Sequence, residues 1–326
     1  MNEDRMLDIQ NLRVWYKTYK GFSKVLDGVN LYVKKGEKVG LVGESGCGKT
    51  TAMKTVLRLQ DGGNASVREN SEILFEGKDI LKMDEKSLLT IRRSKISMIS
   101  QSPMAALNPV FTVGEQIMDV IKYSGCFADE DKAAMQEMAR QAITNVMISD
   151  PDRILKSYPH QLSGGMRQRI CIATALVTPR EMLIADEPGT ALDVTVQEQI
   201  HRLLRQLVEE KHRSLIMITH SLGVARELVD RIYVMYAGNI VECCPAKELF
   251  INPKHPYTEG LLECAPRLSG GGLSTGIYGY VPDYFEPPKG CRFSNRCKYC
   301  TKRCLEEKPD TVEVSPGHTV ACFKYQ

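Results

Sequence analysis

The chain has 326 residues, too long for one typical domain and short for three, which points to one large core with a smaller appended module. Apolar residues at 43% and charged residues at 25% match an ordinary globular protein and exclude a globally disordered one. The net charge of +3 is too small to argue for nucleic acid, and none is expected as a partner. The opening "MNEDRMLDIQ" is acidic and lacks the basic-then-apolar pattern of a signal peptide. No apolar run approaches the roughly 20 residues that cross a bilayer, so a cytoplasmic chain is expected. In such a reducing compartment the eleven cysteines are poor candidates for a disulfide framework.

In chain order, the first chemical signal is "GEKVGLVGESGCGKTTAMKTVLRL". An apolar strand over Val39 to Val42 runs into a glycine-rich turn and then a helix from about Lys49, the context that a G-x-x-x-x-G-K-[ST] match requires. Gly43, Gly46 and Gly48 let the backbone wrap phosphate oxygens, and the loop from Gly43 through Glu44, Ser45, Cys47 and Lys49 to Thr50 and Thr51 supplies N–H groups at a helix start. Lys49 can reach β- and γ-phosphates, and the Thr50 hydroxyl can ligate Mg²⁺. Cys47 reads as a small space-filling residue. Gln101 closes the strand "KISMISQ" as a contact to Mg²⁺ and water, or as an ordinary polar strand end.

Residues 102–165 carry helical spacing and no strand signal, with Met135, Met138 and Met147 as packing residues. In "YPHQLSGGMRQR", Ser163, Gly164 and Gly165 open a helix and aim a hydroxyl and bare N–H groups at an anion. "EMLIADEP" is a buried-type strand ending in two carboxylates. Asp186 is placed to hold Mg²⁺, and Glu187 to orient or deprotonate an attacking water. "SLIMITHS" delivers His220 to the same edge of a parallel sheet as a γ-phosphate contact. Beyond residue 250, Pro, Gly and Tyr predominate, and "SGGGLSTGIYGYVPDYFEPPKG" reads as an irregular linker. It precedes "KGCRFSNRCKYCTKRC", whose thiols suit an iron–sulfur cluster or tetrahedral zinc. Arg292, Arg296, Lys298, Lys302 and Arg303 would offset thiolate charge or form a solvated basic face. Cys126, Cys171, Cys243, Cys244 and Cys264 are scattered and read as buried small apolar residues.

"LSGGMRQR", standing between the Gln101 strand and the Asp186–Glu187 strand, resembles the signature motif of ATP-binding cassette (ABC) proteins. With "ISQSPMAALNPVFTVGEQI", "IADEPGTALDVTVQ", "ITHSLGVA" and "NPKHPYTEGLL", the resemblance covers almost the whole chain and is to the ATPase subunits of dipeptide and oligopeptide permeases, the D-type more than the F-type. It implies an α/β P-loop ABC nucleotide-binding domain over 1–250, with a RecA-like core at 1–101 and 166–250, a helical subdomain at 102–165, and a small irregular cysteine-rich extension at 251–326. It implies MgATP hydrolysis in a sandwich dimer with an F-type ATPase, Ser163 to Gly165 meeting the γ-phosphate held by the partner and a D-loop at Ala191 to Asp193 bridging the two sites. Tyr16 matches the aromatic that stacks on adenine, with Trp15 as the alternative. Two transmembrane permease subunits, an extracytoplasmic solute-binding protein and a place on the cytoplasmic face of the membrane are implied, as is peptide import. Nickel, glutathione or another solute is the alternative within the family, and a soluble ABC ATPase acting on nucleic acid or ribosomes the alternative outside it. Cys291, Cys297, Cys304 and Cys322 fall on the family's [4Fe–4S] positions, while Cys300 departs from the pattern and forms a C-x-x-C with Cys297 that zinc sites also use. Ser102 and Ser221 stand where the family usually has Asp, and Gly189 where it usually has Thr.

Overall fold

Two segments, Lys38–Val42, buried from Val39 onward, and Arg231–Tyr236, buried throughout, pair in parallel from Arg231↔Val39 to Val234↔Val42. Strands covered on both faces read as continuous apolar runs, and these do. The computed structural model describes residues 4–60, 63–127, 131–190, 192–210, 212–264 and 276–326. The chain divides into two compact units, 1–82 with 217–326, and 83–216. The strand Ser214–Thr219 falls at their boundary.

In the first unit, Arg5–Thr18 and Gly21–Lys34 form a long antiparallel hairpin, flanked by Glu72–Phe75 and Ala65–Val67. Leu7, Ile9, Leu12 and Val14 face inward, and the break in alternation between Ile9 and Leu12 is a bulge with Asn11 at φ 48°. The buried pair of strands continues antiparallel through Asn239–Pro245 to His318–Val320 and Val312–Ser315. Arg231 grips Glu37 with two bonds of 2.8 and 2.9 Å, tying the approach to Lys38–Val42 to the neighbouring strand.

The C-terminal extension therefore differs from an irregular tail. Its hairpin at 312–320 extends the sheet, with Val320 and His318 fully buried. Phe293 packs against Tyr236 and Tyr257 at 5.0 and 5.5 Å between ring centres, and Tyr236 meets Tyr257 at 4.6 Å. Strands of three and four residues are too short to show a period above a Pro- and Gly-rich background.

In the second unit, Ile96–Ile99 and Met182–Asp186 pair in parallel. Residues 102–165 are helical wherever a regular element is described: Pro103–Ala106, Val113–Tyr123, Lys132–Asn145, Pro151–Lys156 and a 3₁₀ turn. The starts are written in the sequence: a Thr112–Glu115 capping box, and Asp131 and Asp150 accepting from Ala134 and Arg153 N–H groups. Met147 is not a packing residue; it is 62% exposed in a left-handed turn at φ 55°. Cys126 is exposed rather than buried, and Cys264 half-buried, while Cys171, Cys243 and Cys244 are buried. Among the described residues no helix is long and apolar enough to cross a membrane.

His255 gives this fold a pH signature. It is 1% exposed, its Nδ1 accepts from the Tyr257 N–H at 3.1 Å, and burial lowers its pKa to about 3. The unfolded chain takes up a proton near pH 6.5, so the His255 contribution is complete above that value and is lost as pH falls toward about 3, at up to about 1.4 kcal/mol per pH unit. Thermal unfolding should show stability falling from pH 6.5 to 5, with a smaller fall in His255→Asn, which keeps an acceptor without the titrating ring.

Candidate nucleotide site and cysteine cavity

The strand Lys38–Val42 ends in a turn that only glycine can make. At Gly43, φ is 154° and a Cβ would lie 2.1 Å from the Met235 carbonyl oxygen. The loop then reaches Gly48, the left-handed N-cap of helix Lys49–Val56, which no side chain caps. A helix start not capped by its own N-cap side chain is a place where backbone N–H groups and the helix dipole favour an anion. Lys49 is 5% exposed, and its Nζ donates to the Gly43 and Glu44 carbonyls at 2.8 and 2.9 Å, so the ammonium closes the loop on itself. Cys47 is 2% exposed; burial raises its thiol pKa although Lys49 opposes the shift, which suits a space-filling residue. Thr50 and Thr51 occupy the next helical positions.

Also in the first unit, the Trp15 ring lies under the Arg68 guanidinium at 4.4 Å and the Lys24 ammonium at 5.4 Å. Tyr16 is half-buried and pairs with Ser23 and Ala65. His220 is exposed just past the end of Ser214–Thr219. Ser221, at a usual Asp position, caps helix Leu222–Leu228 through the Val224 N–H, so the substitution keeps an N-cap.

In the second unit, Asp186 ends its strand 1% exposed, and Glu187 follows at φ 46°, a left-handed conformation that is costly for a non-glycine residue. Gln101 Nε2 and Thr190 Oγ1 both donate to Glu187 Oε2, at 3.2 and 2.9 Å. Thr190 was no sequence candidate, because nothing in the spacing marks a hydroxyl three residues beyond a carboxylate as its partner. Gly189 cannot simply regain a side chain, since a Cβ there would lie 2.5 Å from Gln197 Cγ. Ser163 is exposed and caps the 13-residue helix Gly164–Leu176, accepting from the Met166 N–H at 3.3 Å. Asp193 accepts from the Val196 N–H at 2.9 Å at the start of Val194–Glu210, whereas Ala191 lies outside the described residues. Thr50 in the first unit, and Gln101 and Asp186 in the second, each carry an oxygen donor, the ligand type that Mg²⁺ takes.

Cys291, Cys297, Cys304 and Cys322 line one cavity of about 330 Å³, walled also by His255, Phe293 and Phe323; Cys300 is exposed and outside that lining. Gly290 permits the turn, because a Cβ there would lie 2.3 Å from the Cys304 carbonyl oxygen, and Cys291 N–H donates to that oxygen at 2.8 Å. Burial, followed by its cysteine neighbours, pushes the Cys291 thiol up to about 11, and burial raises Cys297 and Cys322 as well. A metal must therefore displace protons to bind here. Among the described residues, only Glu242, Cys244 and His318 place three ligand atoms within 4.8 Å of one another; no three cavity thiols do. Tetrahedral zinc at about 2.3 Å from each sulfur would hold the sulfurs roughly 3.8 Å apart. Of the five basic residues expected to offset thiolate charge, Arg303 lines the cavity, joined by Lys324. Arg292 instead donates to the Lys24 carbonyl at 3.2 Å, and Arg296 turns to Glu44.

Comparison with known proteins gives this geometry a family. The ABC transporter profile matches residues 26–190, and the profile for the oligopeptide/dipeptide transporter C-terminal region matches residues 241–304. The chain is 42% identical over 323 residues to the probable peptide ABC transporter ATP-binding protein y4tR of Sinorhizobium fredii, spanning 98% of this chain and 95% of that one. It is 43% identical over 321 residues to the dipeptide transport ATP-binding protein DppD of Bacillus subtilis, with the same two coverages. An ATP-binding cassette solved as a dimer in a post-hydrolysis state bound to ADP and Pi matches with a TM-score of 0.66 at 28% identity, over 74% of this chain and 99% of that one. The fold is thus a P-loop ABC nucleotide-binding fold, and the chain belongs to the ABC transporter family of ATP-binding ATPases, with the C-terminal region of its oligopeptide/dipeptide members.

Proposed function

We propose that this chain hydrolyses MgATP as half of a sandwich dimer with a homologous F-type ATPase and powers import of dipeptides or oligopeptides through two membrane permease subunits. The observation that carries the reading is one chain holding both a phosphate loop, closed by Lys49, and an exposed Ser163 at the N-terminus of a 13-residue helix. A hydroxyl presented outward beside bare N–H groups suits the γ-phosphate of a nucleotide on a partner. The names of the relatives, peptide and dipeptide transport ATP-binding proteins, support the substrate class. On this reading the chain sits at the cytoplasmic face of the membrane through its permease partners and meets the extracytoplasmic solute-binding protein only indirectly.

The loop from Gly43 to Thr51 wraps the phosphates, and Lys49 exchanges its two carbonyl partners for β- and γ-oxygens. Thr50, Gln101 and Asp186 are the residues to hold Mg²⁺, which neutralises developing phosphate charge when bound. Glu187 takes the general-base role toward water: Gln101 and Thr190 fix one carboxylate oxygen and so set the direction of the other. His220 contacts the γ-phosphate, Asp193 lies on the D-loop, and Tyr16 stacks on adenine, because the Trp15 ring already has two cations against it.

The four cavity thiols are assigned to a [4Fe–4S] cluster rather than zinc. Supporting this are the shared cavity and the exposed position of Cys300 outside its lining.

Two measurements test these roles. In the assembled complex, Glu187→Gln should lower the hydrolysis rate by roughly 10²- to 10⁴-fold while MgATP still binds, and unchanged turnover would remove Glu187 from its role. After anaerobic purification, metal and sulfide analysis should find about four irons per chain, lost in Cys297→Ser and retained in Cys300→Ser. One zinc without iron would reverse the assignment.

A further inference from the structure

The phosphate loop is held by side chains from the far end of the chain. Glu44 N–H donates to Tyr257 Oη at 2.9 Å, and Tyr284 Oη donates to the Gly46 carbonyl at 2.9 Å. Arg296 Nη1 donates to Glu44 Oε2, also at 2.9 Å. The Arg296 side chain is 5% exposed and that of Glu44 27%, so the pair is largely withdrawn from the water that makes most surface ion pairs worthless. Arg296 is itself fixed: Nη2 donates to the Ile277 carbonyl at 3.0 Å and Nε to the Tyr278 carbonyl at 3.3 Å. A long side chain already ordered by other bonds loses little further entropy in holding a carboxylate.

Glu44 and Gly46 are not phosphate-reading atoms by necessity, yet their backbone decides where the following N–H groups point. Lys49 is anchored on the Glu44 carbonyl, so a shift at residue 44 moves the ammonium as well. The turn that carries Arg296, Ser294–Arg296, lies between Cys291 and Cys297, so the brace on the loop and the wall of the cysteine cavity are one stretch of backbone.

We propose that Arg296 is a positioning residue for nucleotide binding. With Tyr257 and Tyr284 it holds Glu44 to Gly46 in the phosphate-binding conformation, and the C-terminal extension thereby sets affinity for ATP. The inference rests on the ATPase reading above. A pre-organised loop spends no binding energy on ordering itself, so the brace acts on nucleotide affinity rather than on the chemical step.

The test is MgATP affinity of the full chain, titrated with a fluorescent ATP analogue, with thermal unfolding recorded in parallel. Arg296→Ala and Glu44→Gln should each weaken binding by roughly 3- to 10-fold, the scale of one charge-assisted hydrogen bond partly transmitted to the ligand. Arg296→Lys should recover part of the loss, and the double variant should bind no more weakly than the worse single one, because the two changes remove one interaction. Tyr284→Phe keeps the ring and removes only the bond to Gly46; it should weaken binding by about 2- to 5-fold with little change in melting temperature. Wild-type affinity in Tyr284→Phe and Glu44→Gln, or additive losses in the double variant, would overturn the positioning role even if Arg296→Ala failed to fold. A wild-type chain that bound no MgATP would overturn the ATPase reading first.

Discussion

The close approach of Gly43 to the Met235 carbonyl oxygen is the constraint on which the nucleotide half of the molecule depends. With 2.1 Å between that oxygen and the place a Cβ would take, the backbone turns sharply off the end of Lys38–Val42. It can do so only because Arg231–Tyr236 lies alongside in parallel register. The next residue of that same strand, Tyr236, carries the ring that meets Tyr257 and Phe293. One strand thus supplies the wall behind the phosphate loop and the floor beneath the cysteine-bearing extension. Burying three aromatic rings in mutual contact is worth several kcal/mol by area alone, enough to make the extension part of the fold rather than an appendage.

On the proposed mechanism the second unit has a different task, which is to hold a carboxylate where a water must be aimed. Glu187 adopts a left-handed backbone that costs of order 1–3 kcal/mol, offset by two donors converging on one of its oxygens. Strain of this kind fits the general-base role proposed for the residue. Gly189 belongs to the same arrangement: Gln197 fills the space a threonine would need.

Local order was the most legible part of the sequence. The strand, glycine-rich turn and helix around Lys49 follow from spacing, and the helical run at 102–165 from periodicity; the caps at Thr112, Asp131 and Asp150 were legible there too but went unread. The family pattern named four thiols that line one cavity and set Cys300 apart, a distinction that counting cysteines could not make. What stayed hidden was long-range. Arg292 and Arg296 read as neighbours of thiolates because sequence adjacency suggests it; alternate projection of a turn instead sends them to partners 268 and 252 residues away. Met147 and Cys126 were assigned to the interior by residue type, but both fall at helix ends, where the chain turns outward. The hairpin at 312–320 gains its stability from pairing with Asn239–Pro245, information that seven residues of strand do not contain.

The most direct test of the central claim, that this cassette converts ATP hydrolysis into peptide movement, is uptake of a labelled dipeptide by vesicles containing the chain, its partner ATPase and the two permease subunits, with the solute-binding protein supplied outside. The account predicts uptake that requires enclosed MgATP and that collapses when Lys49→Ala is placed in this chain alone. Uptake that persisted with Lys49→Ala, or a complex that hydrolysed ATP without ever moving peptide, would contradict it.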